Sequence, residues 1–94
     1  MEDPREALEI QWQGIAVTVH IERNWLNSGF DHIEVKANQS LPITNTGYRS
    51  HFMTPAELDQ WDSMEAFVRD WLDDAALARQ WQDYLAAQRQ LRLF

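Results

Sequence analysis

The sequence predicts an α+β fold: a three- to four-stranded antiparallel sheet with C-terminal helices packed on one face. Three observations lead there. Residues 8–22 alternate apolar and polar side chains in two runs across a Gln-Gly pair, the pattern of a β-hairpin. From residue 63 onward the apolar spacing changes to i, i+3, i+4, i+7. No Gly or Pro interrupts residues 56–94. A run of strands followed by a run of helices argues α+β, and a length of 94 residues argues one domain.

The elements follow in order. Residues 1–6, Met-Glu-Asp-Pro-Arg-Glu, read as a flexible start to a strand-rich half at 8–46. Leu8, Ile10 and Trp12 form one apolar row, and Ile15, Val17, Val19 and Ile21 form the next, with Gln13-Gly14 as the turn. Asn24, Asn27, Ser28 and Gly29 mark a loop. A third strand follows, with Ile33, Val35 and Ala37 toward the core. Asn38–Pro42 turns the chain, and residues 43–46 are expected as a short fourth strand, with Pro42 holding its start at an edge or entry position.

The helical half spans 54–89. Thr54, Pro55 and Glu57 are the signature of a capping box with proline at the first helical position. A second start falls at Ser63. Met64, Phe67, Val68, Trp71, Leu72 and Ala75 then make one helical stripe, with acids on the other face. Leu77, Trp81, Tyr84, Leu85 and Gln88 repeat the spacing, with Asp74 as a possible cap. The helices are expected either to kink near 73–76 or to break there into a hairpin.

Composition restricts the chemistry. There is no Cys, so disulfides, thiolate metal sites and a Cys nucleophile are excluded. No basic start precedes an apolar run, and no run of about 18 apolar residues exists, so neither a signal peptide nor a membrane span is expected. This reads as a cytoplasmic protein. The net charge is −7, and it is concentrated. Residues 54–74 hold seven acids against Arg69 alone. Such a segment repels polyanions, so direct nucleic-acid binding is not expected. A basic protein surface suits it better. Asp70, Asp73 and Asp74 are the core of this candidate acidic face, whose plainer reading is a solvated helix surface that aids solubility.

No catalytic motif stands out. The three Gly are isolated, which excludes a Gly-rich phosphate loop, and the Ser residues have no nucleophile-elbow context. His20 and His32, with Glu22 or Glu34, could meet across neighbouring strands, but solvent-facing strand residues account for them better, and no metal or cofactor is expected. The densest polar stretch is Thr44–Phe52. Thr46, Gly47, Tyr48, Arg49 and His51 make a candidate recognition loop, in which Arg forks to a carboxylate, Tyr stacks and Gly admits a backbone. The competing reading is a strand-to-helix connection with Tyr48 and Phe52 plugging the core and Arg49 paired to the acidic helix. An enzyme using Tyr48, Arg49 and His51 is a third and weaker reading.

Leu41–Phe52, Leu-Pro-Ile-Thr-Asn-Thr-Gly-Tyr-Arg-Ser-His-Phe, resembles a stretch found in small proteins of proteobacterial genomes and mobile elements. Those proteins join it to a strand-rich start, a Trp-containing helical half and a short Q-L-x-L-F ending. The resemblance covers most of the chain, with Asn45 at the variable position. It implies a family without implying an activity.

The last five residues, Gln90-Leu91-Arg92-Leu93-Phe94, resemble the peptide by which bacterial polymerases, mismatch-repair proteins and clamp-loading factors hold the DNA sliding clamp. The resemblance implies Gln90 as polar anchor, Leu91 as bridge, and Leu93 and Phe94 as an apolar plug. Arg92 departs from the usual small or acidic residue. Four fixed residues match by chance at ~1 in 10⁵ per position. The alternative is that Leu91, Leu93 and Phe94 finish the domain's own core. An extended peptide gathers Leu93 and Phe94 beside Leu91 more easily than one helix stripe does.

The sequence-level expectation is a non-enzymatic protein–protein interaction module that binds the clamp through 90–94. The alternative is an acidic anti-defence inhibitor that presents residues 57–74 as a mimic of phosphate charge to a nucleic-acid-binding complex.

Overall fold

Gln13 and Gly14 take φ of 49° and 79°, the two-residue turn whose twist matches that of its flanking strands. It joins β1 (Arg5–Trp12) to β2 (Ile15–Glu22), with Trp12 opposite Ile15, Ile10 opposite Val17 and Leu8 opposite Val19. The two apolar rows therefore share one face. The computed structural model describes residues 5–91. β1 begins at Arg5, so residues 5 and 6 belong to the strand rather than to a flexible start. Glu6 pairs with Ile21 in the ladder, and its carboxylate accepts from Arg23 at 3.2 Å. Met1–Pro4 lie outside the described residues.

One buried carboxylate organises the turn into β3 (Asp31–Ala37). Asp31, 2 % exposed, accepts the Asn24 backbone N–H at 2.9 Å and the Arg23 guanidinium at 3.1 Å. The loop then closes on itself, with the Asn24 side chain accepting from the Gly29 N–H and Trp25 donating to the Phe30 carbonyl. Ile33 and Val35 point into the core, as their alternation predicts.

The fourth strand is not at 43–46. Leu41 and Thr44 exchange both main-chain hydrogen bonds, at 2.7 and 3.0 Å, and close a tight turn there. β4 is Tyr48–Met53, antiparallel to β3. Gly47 starts it. The Gly47 carbonyl accepts from the Ala37 N–H at 2.8 Å. At φ 82° a Cβ on residue 47 would stand 2.5 Å from the Ala37 carbonyl oxygen, so only glycine permits this approach. The expected recognition loop is therefore a strand from Tyr48 on. Its period was hidden because both of its faces carry polar or aromatic groups.

The sheet order is β1-β2-β3-β4, which leaves β1 and β4 as edges. α1 (Pro55–Leu58) opens with the predicted capping box. The Glu57 N–H donates to Thr54 Oγ1 at 3.2 Å, and the Thr54 N–H donates to Glu57 Oε2 at 3.3 Å. α2 (Met64–Ala75) starts at Ser63, whose hydroxyl accepts from the Ala66 N–H. Met64, Phe67, Val68 and Leu72 bury its predicted stripe against the sheet.

The helical half breaks after Ala75, and α3 (Arg79–Leu91) begins beyond Ala76–Ala78. Asp74 is not a side-chain cap. It lies inside α2, and its backbone carbonyl accepts from the Leu77 N–H. Leu77, expected on the third stripe, is 79 % exposed because it sits in this connection. Trp81 is buried beside Trp12, their rings 6.0 Å apart, while Trp12 Nε1 donates to Asp73 at 2.8 Å. The core thus lies between one sheet face and α2, with Trp12 and Trp81 sealing one end.

Candidate interaction site along the β4 edge

β4 alternates like any strand. Arg49, His51 and Met53 face the helices, while Tyr48, Ser50 and Phe52 face the opposite, outer side. The main chain alternates too. Gly47 is hydrogen-bonded to Ala37, so in an antiparallel ladder Arg49, His51 and Met53 direct their main-chain groups at β3, and Tyr48, Ser50 and Phe52 direct theirs outward. The Tyr48 carbonyl accepts from the Thr44 hydroxyl at 2.8 Å. The ladder leaves the main-chain groups of Ser50 and Phe52 facing away from the sheet.

On the helix side, these groups meet α2. The His51 ring lies 4.8 Å from Trp71 and 6.1 Å from Phe67. Arg49 Cζ stands 5.9 Å from the centre of the Trp71 ring, within range of a cation–π contact. Trp61 meets Phe67 edge-on at 4.8 Å and donates from Nε1 to Asp70 at 3.1 Å. A cleft of about 150 Å³ results, lined by His51, Trp61, Phe67, Asp70, Trp71 and Asp74. Burial lowers the His51 pKa below its ordinary 6.5, the nearby Arg49 charge lowers it further, and Glu57 opposes both. His51 is thus held toward its neutral form.

On the outer side, Phe52 stacks on His32 at 4.6 Å, and Trp25 meets Phe52 edge-on at 5.0 Å. His32 Nε2 and the Ser50 hydroxyl share a hydrogen bond of 2.6 Å. Tyr48 and Phe52 remain 47 % and 44 % exposed, and Lys36 Nζ lies 5.9 Å from the Tyr48 ring centre. The edge is therefore flanked by aromatic side chains on both faces.

The structure divides the residues singled out in the sequence. Thr46 and Gly47 shape the approach to β4: the Thr46 hydroxyl bonds to that of Thr44, and Gly47 makes the close backbone contact. Tyr48 goes to the outer face, and Arg49 and His51 go to the helix side. Asp70 and Asp74 join His51 around one cleft, whereas Asp73 is turned toward β1 and Trp12. The acidic face is thus split across two sides of α2. Sequence reasoning missed Trp61, Phe67 and Trp71 as neighbours of His51. It passed over Trp25, and its competing reading put Tyr48 and Phe52 in the core, whereas both are exposed on the outer face because β4 turns its even-numbered side chains away from the helices. The available signal was the aromatic spacing at 61, 67 and 71, which reads equally well as core.

Other features carry less. The strand register places His20 opposite Glu34 and Glu22 opposite His32. Among the described residues, however, no group of three or more His, Asp or Glu could hold a metal ion. Two clefts of about 260 and 440 Å³ flank α3 at Trp81 and Tyr84. Trp81 Nε1 is buried without a hydrogen-bond partner among the described groups. Both clefts are roomier than the one at His51. Among the described residues they present no carboxylate or imidazole and no open strand edge. α3 carries the backbone of Gln90 and Leu91 as helix, while Leu93 and Phe94 lie outside the described residues. No helix among the described residues is long and apolar enough to cross a membrane.

The fold defines a class: a small α+β domain with a four-stranded antiparallel meander, helices on one face and an aromatic-flanked edge at β4. A family model for the KlcB third domain matches residues 5–81, and the chain belongs to that family. The match runs from the first residue of β1 to Trp81, so it takes in the whole sheet, α2 and the Trp12–Trp81 contact. No significant match was found among curated proteins or solved structures.

Proposed function

We propose that this domain is a non-enzymatic protein-binding module that takes an extended segment of another protein along β4. One observation carries the reading: the Ser50 and Phe52 main chain faces outward between two rows of aromatic side chains. An added strand would pair with those groups, and the flanking rows would read its alternating side chains. The test is to pan a displayed peptide library on the whole chain and to measure selected peptides against Ser50→Pro. Proline removes an N–H that faces away from the sheet and, with the hydroxyl, the bond to His32, so the fold should tolerate it at a small cost in stability that Ser50→Ala measures separately. Loss of binding by Ser50→Pro but not by Ser50→Ala, with both variants folded, supports the module. Equal binding by Ser50→Pro contradicts it.

A second reading is supported by the sequence beyond the family-matched residues. Gln90–Phe94 carries the clamp-peptide pattern, which begins at Gln90 and Leu91, the last two residues of α3. The partner in that reading is the sliding clamp, and the bacterial mobile-element setting expected from Leu41–Phe52 belongs with it. Deleting Leu93 and Phe94 should abolish binding to purified clamp and leave the melting temperature unchanged. If that deletion unfolds the protein, those residues serve the core instead.

A further inference from the structure

We propose that the β4 edge selects an extended segment in which Lys or Arg alternates with apolar residues, the cations turned toward α2 and the apolar side chains toward Tyr48 and Phe52. This rests on the protein-binding reading and names the chemistry of its partner.

Charge carries the argument on the helix side. The cleft beside His51 holds Asp70 and Asp74, and Glu57 acts on the same imidazole. Against these stands Arg49, over the Trp71 ring. Arg69, the other base of this region, is turned away: it donates to Glu65 at 2.8 Å and to the Gln11 carbonyl of β1 at 3.0 Å. Asp59 and Asp62, exposed in the α1–α2 connection, add negative charge. His51, held toward its neutral form, supplies little compensation. A cationic side chain entering here meets the Asp70 and Asp74 carboxylates beside the Trp61 indole, while the Trp71 ring is already engaged by Arg49.

The outer side asks for the opposite chemistry. Tyr48 and Phe52 are half exposed, and Phe52 is backed by His32 and Trp25. Side chains of an added strand alternate between the two faces. The two requirements therefore combine into one period-two pattern, basic on one face and apolar on the other. A second copy of this chain fits poorly. It also carries −7, and strand pairing across a two-fold would bring two copies of Asp70 and Asp74 to the same seam.

The test uses the full chain and two acetylated, amidated octapeptides, one alternating Lys with Val and its twin alternating Glu with Val. Hydrogen exchange reads the site, and fluorescence anisotropy reads the affinity. The Lys peptide should bind and protect the Ser50 and Phe52 amides, while the Glu peptide should not bind. Asp70→Asn with Asp74→Asn should weaken binding on the order of tenfold, and so should raising salt from about 0.05 to 0.5 M. Asn retains an acceptor for Trp61 Nε1, so the fold should survive the exchange. Lys-peptide binding that leaves Ser50 and Phe52 unprotected overturns the proposal, as does equal binding of the two peptides or no binding of either. A concentration-dependent dimer that protects those amides overturns it in favour of a second copy. Library peptides that require β4 but carry no Lys or Arg overturn the basic partner and leave the module standing. Peptides indifferent to Ser50→Pro overturn both.

Discussion

The two edges of the sheet have been treated differently. β1 turns Ala7, Glu9 and Gln11 outward, because Trp12 and Ile15 flank a two-residue turn and are bonded to each other. α2 closes over that side. Arg69 donates to the Gln11 carbonyl, and Asp73 accepts from Trp12 Nε1. Glu6 and Glu9 add charge along the strand, a common protection of edges. β4 has no acid in its sequence, Tyr-Arg-Ser-His-Phe-Met, and among the described residues the side-chain bonds to its outward main chain, from Thr44 and Thr46, stop at the Tyr48 carbonyl. One helix serves both edges, clamping one with Arg69 and Asp73 and furnishing the other with Phe67, Asp70, Trp71 and Asp74. A sheet edge becomes usable when the residues that would cap it are spent elsewhere.

The most drastic way to break this comparison is to loosen α2 itself. Leu72 is fully buried, and Leu72→Ala should cost about 2–5 kcal/mol, read by denaturant unfolding. Both edges should then exchange amide protons at the same rate. Gly47→Ala attacks β4 alone. The strained φ and the 2.5 Å approach to the Ala37 carbonyl should cost about 2–4 kcal/mol, and β4 amides should lose protection before those of β1 and β2. Asp31→Ala leaves the Asn24 N–H without its acceptor and should cost about 1–3 kcal/mol, with the 23–30 loop exchanging faster.

Arg69→Met is a sharper probe. Its exposed ion pair contributes under about 1 kcal/mol, so stability should barely move. The Gln11 carbonyl is uncovered, however, and strand peptides should gain weak access to β1. The smallest expected effect is on pH dependence. The unfolded His51 takes up its proton as pH falls through about 6.5, whereas the folded one, with its lowered pKa, does so only at lower pH. Its contribution is therefore complete above that point and declines as pH falls toward the folded value. His51→Gln should flatten the stability profile between pH 7 and 5 relative to the parent chain.

Much of this architecture is legible from residue order. The hairpin was readable because Leu8–Trp12 and Ile15–Ile21 alternate cleanly around Gln-Gly. The helix starts were readable because Thr54 and Ser63 are capping residues followed by apolar stripes. β4 was not, because period-two alternation identifies a strand only when one face is apolar. Here Arg49 and His51 sit on the core side, and Phe52 sits outside. Leu77 misled for a different reason: its spacing fits a helix stripe, and nothing local shows that the chain breaks at Ala76–Ala78. The candidate site was half visible. His51 and Asp70 each stand out in the sequence, but their meeting depends on where α2 crosses the sheet, a long-range fact that no local pattern encodes.

Peptide docking on this domain depends on the outward main chain of β4. Amide exchange measured residue by residue, with the Lys-Val octapeptide absent and then saturating, tests it most directly. Fast exchange is expected at Ser50 and Phe52 in the free chain and strong protection of those two amides on binding, with the β1 edge unchanged. Protection at Glu9 instead, or bound peptide with Ser50 and Phe52 still exchanging freely, would contradict it.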